Sequence, residues 1–344
     1  MAQVFEKMAA LAGFATHDFE EFFALSAELD AAEVAAVLGY LLGRLDSLDA
    51  AALVSVLRGL HPQRTLALGS DHPTLNMVGT GGGPATFNIT TTAAFVVAAA
   101  GPVVVKTGSA ACRSKSGFAD VAASLGTLKV AMPWPEIEAI AGDVGIVFVP
   151  PSYYAPQIGT LSQMLAPAAF YNVAAYLNKI GPLLSPVRVD HRFIGANSVC
   201  CLEMLAGACA DLGDIPTTIV SAADGMDEVS SRARTARVRL TAAGSRADDV
   251  IDPQALDIAA PPPEALVGFA RTAAAECCER ILSGKGTRAQ TEIVALNAGV
   301  VLTSLGLFSD LAAGVRAATR LIVEGEALRK LHCLRERVWK CVRR

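Results

Sequence analysis

The sequence predicts an α/β protein with a small helical domain and a larger α/β domain on a mostly parallel central sheet. Three observations carry this expectation. From about Leu75 onward, short β-rich runs alternate with Ala-rich helical stretches, the pattern of repeated strand–helix units. Glycine-rich or polar turns follow several of those runs, which would gather them at the carboxyl edge of one sheet. The chain before residue 70 shows helical spacing alone.

Taken in order, ELDAAEVAAVLGYLLGRL offers Asp30 as an N-cap ahead of apolar residues at helical spacing. SLDAAALVSVLRGL repeats the idea, with Ser47 or Asp49 as cap and Gly59 as stop. Two such short amphipathic helices cannot bury their faces alone, so they must pack on another part of the chain or on a second subunit. The expected division is a helical domain over 1–70 and an α/β domain over 71–344. LNMVGT, PVVVKTG, VGIVFVP and PTTIVSAADG read as strands, and TTTAAFVVAAAG, SGFADVAASLG and VCCLEMLAGACADLG as helices. LAPAAFYNVAAYLN interrupts the alternation as a helix closed by Gly181–Pro182, and this segment, around 160–180, is expected to join the N-terminal helices. The last hundred residues read as largely helical and end in LRERVWKCVRR, taken as a solvated basic helix end.

Composition narrows the function class. With 344 residues, 52% hydrophobic and 18% charged, the chain has ample material for a buried core. A net charge of −4 argues against a dedicated nucleic-acid binder. No apolar window is long enough to span a bilayer, and the first residues lack a secretory pattern, so a cytoplasmic protein is expected. The 8 cysteines include no CxxC and read as small buried hydrophobes in a reducing compartment. The 5 histidines show no zinc-binding spacing.

Three loops carry chemistry. In MVGTGGGPATFNITT, an apolar run meets Gly79, Gly81, Gly82 and Gly83, with Asn88, Thr90 and Thr91 at the start of the next helix. Without Cβ atoms, backbone N–H groups can approach an anion, and a helix N-terminus adds partial positive charge. The dinucleotide fingerprint fails because Pro84 stands where its third glycine belongs. The second loop, KTGSAACRSKSGFAD, brings Lys106, Arg113 and Lys115 among small residues, which suits a phosphorylated ligand. A Walker motif is excluded there by Ser114 in place of its glycine. The third, SAADGMDEVSS, places Asp224, Asp227 and Glu228 after a strand, a carboxylate pair fit for Mg²⁺ beside ligand phosphates.

In this order the loops resemble the anthranilate phosphoribosyltransferase family. GTGG followed by TFNITT is similar to the family's GTGGD…TFNIST, and KTGSAACRSKSGFAD to KHGNR…SSKSGSAD. GPLLSP is similar to GPLTNP, DGMDE to DGLDE, and TRAQTEIVALNAG to the family's helix near the end. The resemblance implies a nucleoside phosphorylase/phosphoribosyltransferase-like fold, phosphoribosyl pyrophosphate (PRPP) as donor, Mg²⁺ as cofactor and a homodimer formed by the helical domains. It assigns the donor to Gly79, Thr80, Gly81, Gly82, Asn88, Thr90 and Lys106, with Ser114 and Ser116 nearby, and the metal to Asp227 and Glu228.

The departures fall mostly on the acceptor side. Gly83 replaces the aspartate of GTGGD in a loop one residue shorter, and Thr107, Ser109 and Ala110 replace the His, Asn and Arg of KHGNR. The family arginine that grips the anthranilate carboxylate falls within LAPAAFYN, which has no cation; the nearest register places Ala168 there. Losing that partner costs roughly 1.5–3 kcal/mol of binding. The expectation is therefore a phosphoribosyltransferase whose acceptor, an amine or heterocycle, is not anthranilate. Candidate acceptor residues are Thr107, Ser109, Arg113, Tyr154, Asn178 and Gly181, with Tyr153, Gln163, Tyr171 and Asn172. Alternatives are a non-catalytic binding protein on this scaffold, a true anthranilate enzyme and a nucleoside phosphorylase.

Overall fold

The computed structural model describes residues 2–10, 16–25, 28–43, 72–108, 117–129, 131–149, 153, 179, 181–213 and 215–341. Its centre is a seven-stranded sheet in the order β3-β2-β1-β4-β5-β6-β7. The strands are β1 Thr74–Gly79, β2 Val103–Lys106, β3 Ile146–Phe148, β4 His191–Gly195, β5 Thr217–Ala222, β6 Thr235–Leu240 and β7 Arg246–Ile251. Strands β3, β2, β1, β4 and β5 are parallel, while β6 and β7 run antiparallel at one edge. The α/β class with a mostly parallel sheet is thus as the sequence predicts.

Helices α1 Ala2–Ala9, α2 Thr16–Leu25 and α3 Ala31–Gly43 precede the sheet. Asp30 caps α3 as expected: its Oδ1 accepts from the N–H of Ala32 and Glu33, each at 2.8 Å. Glu33 returns the bond to the Asp30 N–H at 3.0 Å, completing a capping box. The expected helices over 47–60 and 165–178 lie outside the described residues. Helix α4 Ile89–Ala99 leaves β1, α5 Phe118–Ser124 and α6 Trp134–Val144 lie between β2 and β3, and α7 Val199–Leu212 follows β4. Four helices end the chain: α8 Arg271–Leu282, α9 Arg288–Ser304, α10 Leu311–Val323 and α11 Glu326–Lys340.

After β1, the chain steps outward through β2 to β3, then returns to lay β4 on the other side of β1. That reversal opens a crevice at the carboxyl ends of β1 and β4, where open α/β sheets bind ligands. Helix α4 is buried on nearly every side, and its Phe95 meets Phe148 of β3 edge to face at 5.4 Å. These contacts fix the helix whose first turn faces the crevice.

Three strands, β4, β6 and β7, are missing from the sequence expectation. Strand β4 begins with His191 and Arg192, so it lacks the uninterrupted apolar run of a central parallel strand. Both side chains are nonetheless buried. The His191 ring shares a 3.0 Å hydrogen bond with the Thr218 hydroxyl of β5. Asp190 ties β4 to β1 by accepting from the Thr74 N–H and hydroxyl, at 2.9 and 2.8 Å. The β6–β7 hairpin is an edge with a wet face, where Arg237 forks onto Asp249. Its charges hide the alternation of Val238 and Leu240 inward against Arg239 outward.

The basic C-terminal segment, as far as Cys341, is packed along one face rather than wholly solvated, with Trp339 exposed on the other. On α11, Leu331, Leu334 and Val338 are buried, and the cations reach neighbouring helix ends. Lys330 donates to the Val144 carbonyl at the end of α6, 2.7 Å. Arg335 donates to the Leu125 carbonyl just past α5, 2.8 Å, and also grips Glu279. Cations on C-terminal carbonyls satisfy orphan acceptors and oppose the helix dipole. The cysteines divide: Cys201, Cys209, Cys277 and Cys278 are buried as expected, whereas Cys200 and Cys333 are exposed. Adjacent residues on a helix point about 100° apart, so on α7, in contact on one side, Cys200 faces outward while Cys201 faces inward, whereas on α8 both Cys277 and Cys278 are covered. Among the described residues, no helix is long and apolar enough to cross a membrane.

Burial lowers the His191 pKa to about 4, against about 6.5 in an unfolded chain. Below pH 6.5 the unfolded state takes up a proton that the folded state refuses. Stability is therefore lost as pH falls from about 6.5 to 4, by up to about 3 kcal/mol from this residue. His191→Gln, which keeps a partner for Thr218 but does not titrate, is expected to flatten that part of a urea-denaturation pH profile.

Candidate active site

The glycine loop leaves β1 and lies against the turn after β5. Gly79 of β1 and Gly195 of β4 are register partners, and both give space to Asp227. A Cβ on Gly79 would stand 2.2 Å from Asp227 Oδ2, and one on Gly195 would stand 1.6 Å from the Asp227 carbonyl oxygen. Past the strand, Gly81 and Gly82 have φ of 65° and 84°, the left-handed conformation that favours glycine. The turn aims the Gly81 N–H at Asp227 Oδ2, 2.7 Å away. A charge-assisted bond of this length contributes about 1.5–3 kcal/mol.

Gly83, the departure from GTGGD, has its own physical reason. A Cβ there would meet the Gly225 carbonyl oxygen at 2.4 Å. The shorter loop brings its backbone onto the DGMDE turn, and an aspartate would collide with that turn. The glycines thus serve contacts within the protein as well as any approach to an anion.

Glu228, adjacent in the chain, is buried and accepts from the Thr90 hydroxyl on the first turn of α4 at 3.5 Å. Burial raises the Asp227 pKa above its ordinary value, partly offset by the Gly81 N–H. Glu228 is raised well above its ordinary value by burial and by the Asp227 charge. Two neighbouring carboxylates that each resist ionisation suit a divalent cation, and their residue types suit Mg²⁺. Among the described residues no group of three or more His, Cys, Asp or Glu forms a metal cage; Mg²⁺ commonly takes its other ligands from phosphates and water.

Lys106 ends β2 beside them. It is buried, donates to the Met77 carbonyl at 2.8 Å and stands 5.3 Å from the Phe118 ring centroid. Burial pushes its pKa down to about 7, against the pull of Glu228 and Asp227. An arriving anion would restore the charged form. Thr107, the next residue, is buried and its hydroxyl pairs with the Asn76 side chain at 3.0 Å. It is committed to the protein interior rather than open to an acceptor.

A family model described as "Glycosyl transferase family, a/b domain" matches residues 71–328. Anthranilate phosphoribosyltransferase of Synechococcus elongatus is 33% identical over 302 residues, covering 86% of this chain and 85% of that protein. This chain belongs to the anthranilate phosphoribosyltransferase family. The Desulfosudis oleivorans enzyme of the same name is 35% identical over 260 residues, 75% of each protein. The crystal structure of anthranilate phosphoribosyltransferase from Thermus thermophilus superposes with a TM-score of 0.84 at 26% identity, covering 98% of this chain and 99% of that one. The Saccharomyces cerevisiae enzyme in complex with PRPP and Mg shares the fold, with a TM-score of 0.83 at 20% identity over 98% of both chains. These relatives carry the anthranilate name, so family likeness does not back the expectation of a different acceptor.

Among the sequence-predicted residues, the structure gathers Gly79, Gly81, Thr90, Lys106, Asp227 and Glu228 at the crevice. Thr80 joins them, its N–H donating to the Gly195 carbonyl at 2.8 Å. Asn88 is the N-cap residue of α4, without a side-chain cap hydrogen bond to that helix. Gly181 opens a short 3-10 helix, Gly181–Leu184. Tyr153 turns its hydroxyl to the Met132 carbonyl, 2.6 Å, a packing role. Asp224 accepts from the Ser230 hydroxyl at 2.8 Å and shapes the turn. Ser109, Arg113, Ser114, Ser116, Tyr154 and Asn178 lie outside the described residues, as do Gln163, Ala168, Tyr171 and Asn172.

Three residues at the site escape the sequence expectation. Asn297 of α9 clamps the DGMDE turn, accepting from the Val229 N–H at 2.9 Å and donating to the Val229 carbonyl at 2.8 Å. Asn197 follows β4, and Lys179 donates to its Oδ1 at 2.8 Å. Recognising β4 as a strand would have marked Asn197, since it follows that strand's carboxyl end. Asn297 lies within TRAQTEIVALNAG, to which the resemblance assigns no site role, and nothing local marks Lys179.

Gly195→Ala is expected to cost about 3 kcal/mol or more in urea denaturation, because its Cβ meets backbone that cannot swing aside. Gly142, in α6, has nothing within 4 Å of its Cβ position. Gly142→Ala is expected to gain about 0.5–1 kcal/mol in the same measurement.

Proposed function

We propose that the chain transfers the phosphoribosyl group of PRPP to the amino group of anthranilate. The observation that carries this reading is the joining of Gly81, Thr90, Asp227 and Glu228 at the switch point, in a chain that belongs to this family. The names of the relatives supply the acceptor, and the PRPP and Mg of the yeast complex supply the donor and cofactor. Mg²⁺, held by Asp227 and Glu228, would neutralise the charge of the donor diphosphate.

The protein residues act by positioning. Gly81 and Thr90 orient the two carboxylates, and Lys106 gains its charge as the donor's anionic groups arrive. The amine nitrogen bonds to the anomeric carbon while the bond from that carbon to the diphosphate oxygen breaks. The electron pair leaves with diphosphate, and the amine proton passes to water. Such a reaction, through a cationic sugar, needs charge neutralisation and alignment more than a strong base.

A different aromatic or heterocyclic amine is the second reading. It is favoured by Thr107, whose hydroxyl is taken by Asn76, and by the absence of a cation in LAPAAFYN. The homodimer belongs to the same proposal, as does a domain boundary near residue 70; light scattering of the purified protein tests the dimer.

Incubating the protein with PRPP, Mg²⁺ and anthranilate and following loss of anthranilate is expected to show turnover. Turnover of another amine alone would transfer the conclusion to the second reading; no turnover of any amine, with PRPP still bound, would favour a binding protein. Asp227→Asn combined with Glu228→Gln is expected to abolish Mg²⁺-dependent PRPP binding in calorimetry. Either substitution alone is expected to lower kcat/KM by about a hundredfold or more.

A further inference from the structure

We infer that Lys179 and Asn197 form an additional grip on the diphosphate of the donor, beside Gly82 of the glycine loop. The inference rests on the phosphoribosyl-donor reading above and adds two residues that none of the motifs contains.

The geometry begins with orientation. The Lys179 ammonium can only donate, so its 2.8 Å partner on Asn197 is the amide oxygen, Oδ1. That leaves the amide Nδ2 on the other side, and it lies 2.8 Å from where a Gly82 Cβ would be. The donor end of Asn197 is thus set over the bare backbone of Gly82. The Asn197 N–H also donates to the Thr80 hydroxyl at 3.2 Å, which fixes this residue to the same loop.

Charge placement agrees. Lys179 is half-buried, and its ammonium is near enough to act electrostatically on Asp227. An ammonium has three N–H donors, and the bond to Asn197 uses one. Asp227 and Glu228, whose residue types suit a divalent cation, border the same glycine loop through the Gly81 N–H and the Gly79 position. A ligand carrying both a bound divalent cation and excess negative charge suits this mixed set of groups, and metal-bound diphosphate is such a ligand. Gly82 lacks a Cβ where Asn197 approaches, so the anion can meet the loop backbone and the Asn197 amide together.

As the bond between the anomeric carbon and the diphosphate oxygen breaks, the diphosphate gains negative charge. A fixed ammonium and an amide donor beside it favour that product. Lys179 would therefore affect donor binding and diphosphate release, and leave acceptor binding alone.

The test uses the full chain and inorganic diphosphate with Mg²⁺ as calorimetric probe, together with steady-state kinetics. Lys179→Met is expected to weaken Mg²⁺–diphosphate binding roughly tenfold or more and to raise the KM for PRPP in parallel, with the KM for the acceptor unchanged. Lys179→Arg is expected to keep most of the affinity. Asn197→Asp, close to isosteric, cancels the lysine charge locally and is expected to weaken diphosphate binding as well; it decides the matter if Lys179→Met does not fold. Unchanged diphosphate affinity in folded variants, or a KM rise confined to the acceptor, would overturn the assignment while leaving the proposed reaction intact. A wild-type protein that binds neither diphosphate nor PRPP would overturn the donor reading, and this inference with it.

Discussion

The architecture of the site depends on seating Asp227 directly on the ends of two central strands. Its backbone and carboxylate occupy the space where Cβ atoms of Gly79 and Gly195 would be. Those glycines are register partners in β1 and β4, so one sheet register provides both halves of the seat. The contact also places the carboxylate against the Gly81 N–H, which orients the loop that follows. A one-residue slip between β1 and β4 would break both arrangements, and Asp190 guards against it at the other end of the strands by binding Thr74.

The rest of the site balances charges gathered in a partly dehydrated place. Asp227 and Glu228 resist ionisation through burial, and Lys106 resists protonation for the same reason. Bringing a metal-bound anion into this space would satisfy all three groups. The surrounding structure holds them by hydrogen bonds to backbone and short side chains: Met77 for Lys106, Thr90 for Glu228, Asn297 for the turn itself. Such supports fix position without adding net charge, as a site that aligns a charged donor requires.

Departures from the family motifs have different physical weights. Gly83 accommodates a shorter loop packed on Gly225, so the missing aspartate is coupled to backbone geometry. Thr107 exchanges a motif histidine for a hydroxyl closed into a pair with Asn76. The first change concerns how two loops meet; the second closes a side chain into the protein interior.

The sequence by itself determined the α/β class, the strands β1, β2, β3 and β5, the Asp30 N-cap, the family, and the residue types of the glycine, lysine and carboxylate loops. These are legible because hydrophobic periodicity, capping and glycine-rich turns are local signals. Only the tertiary structure decided that β4 is a strand, because its His191 and Arg192 are made tolerable by partners distant in sequence. It also decided that the basic C-terminal helix clamps the ends of α5 and α6. Within the site, it decided that Gly79, Gly83 and Gly195 make room for the turn around Asp227, and that Lys179 meets Asn197. Each of these depends on atoms brought together across the sheet, and spacing along the chain carries no record of such contacts.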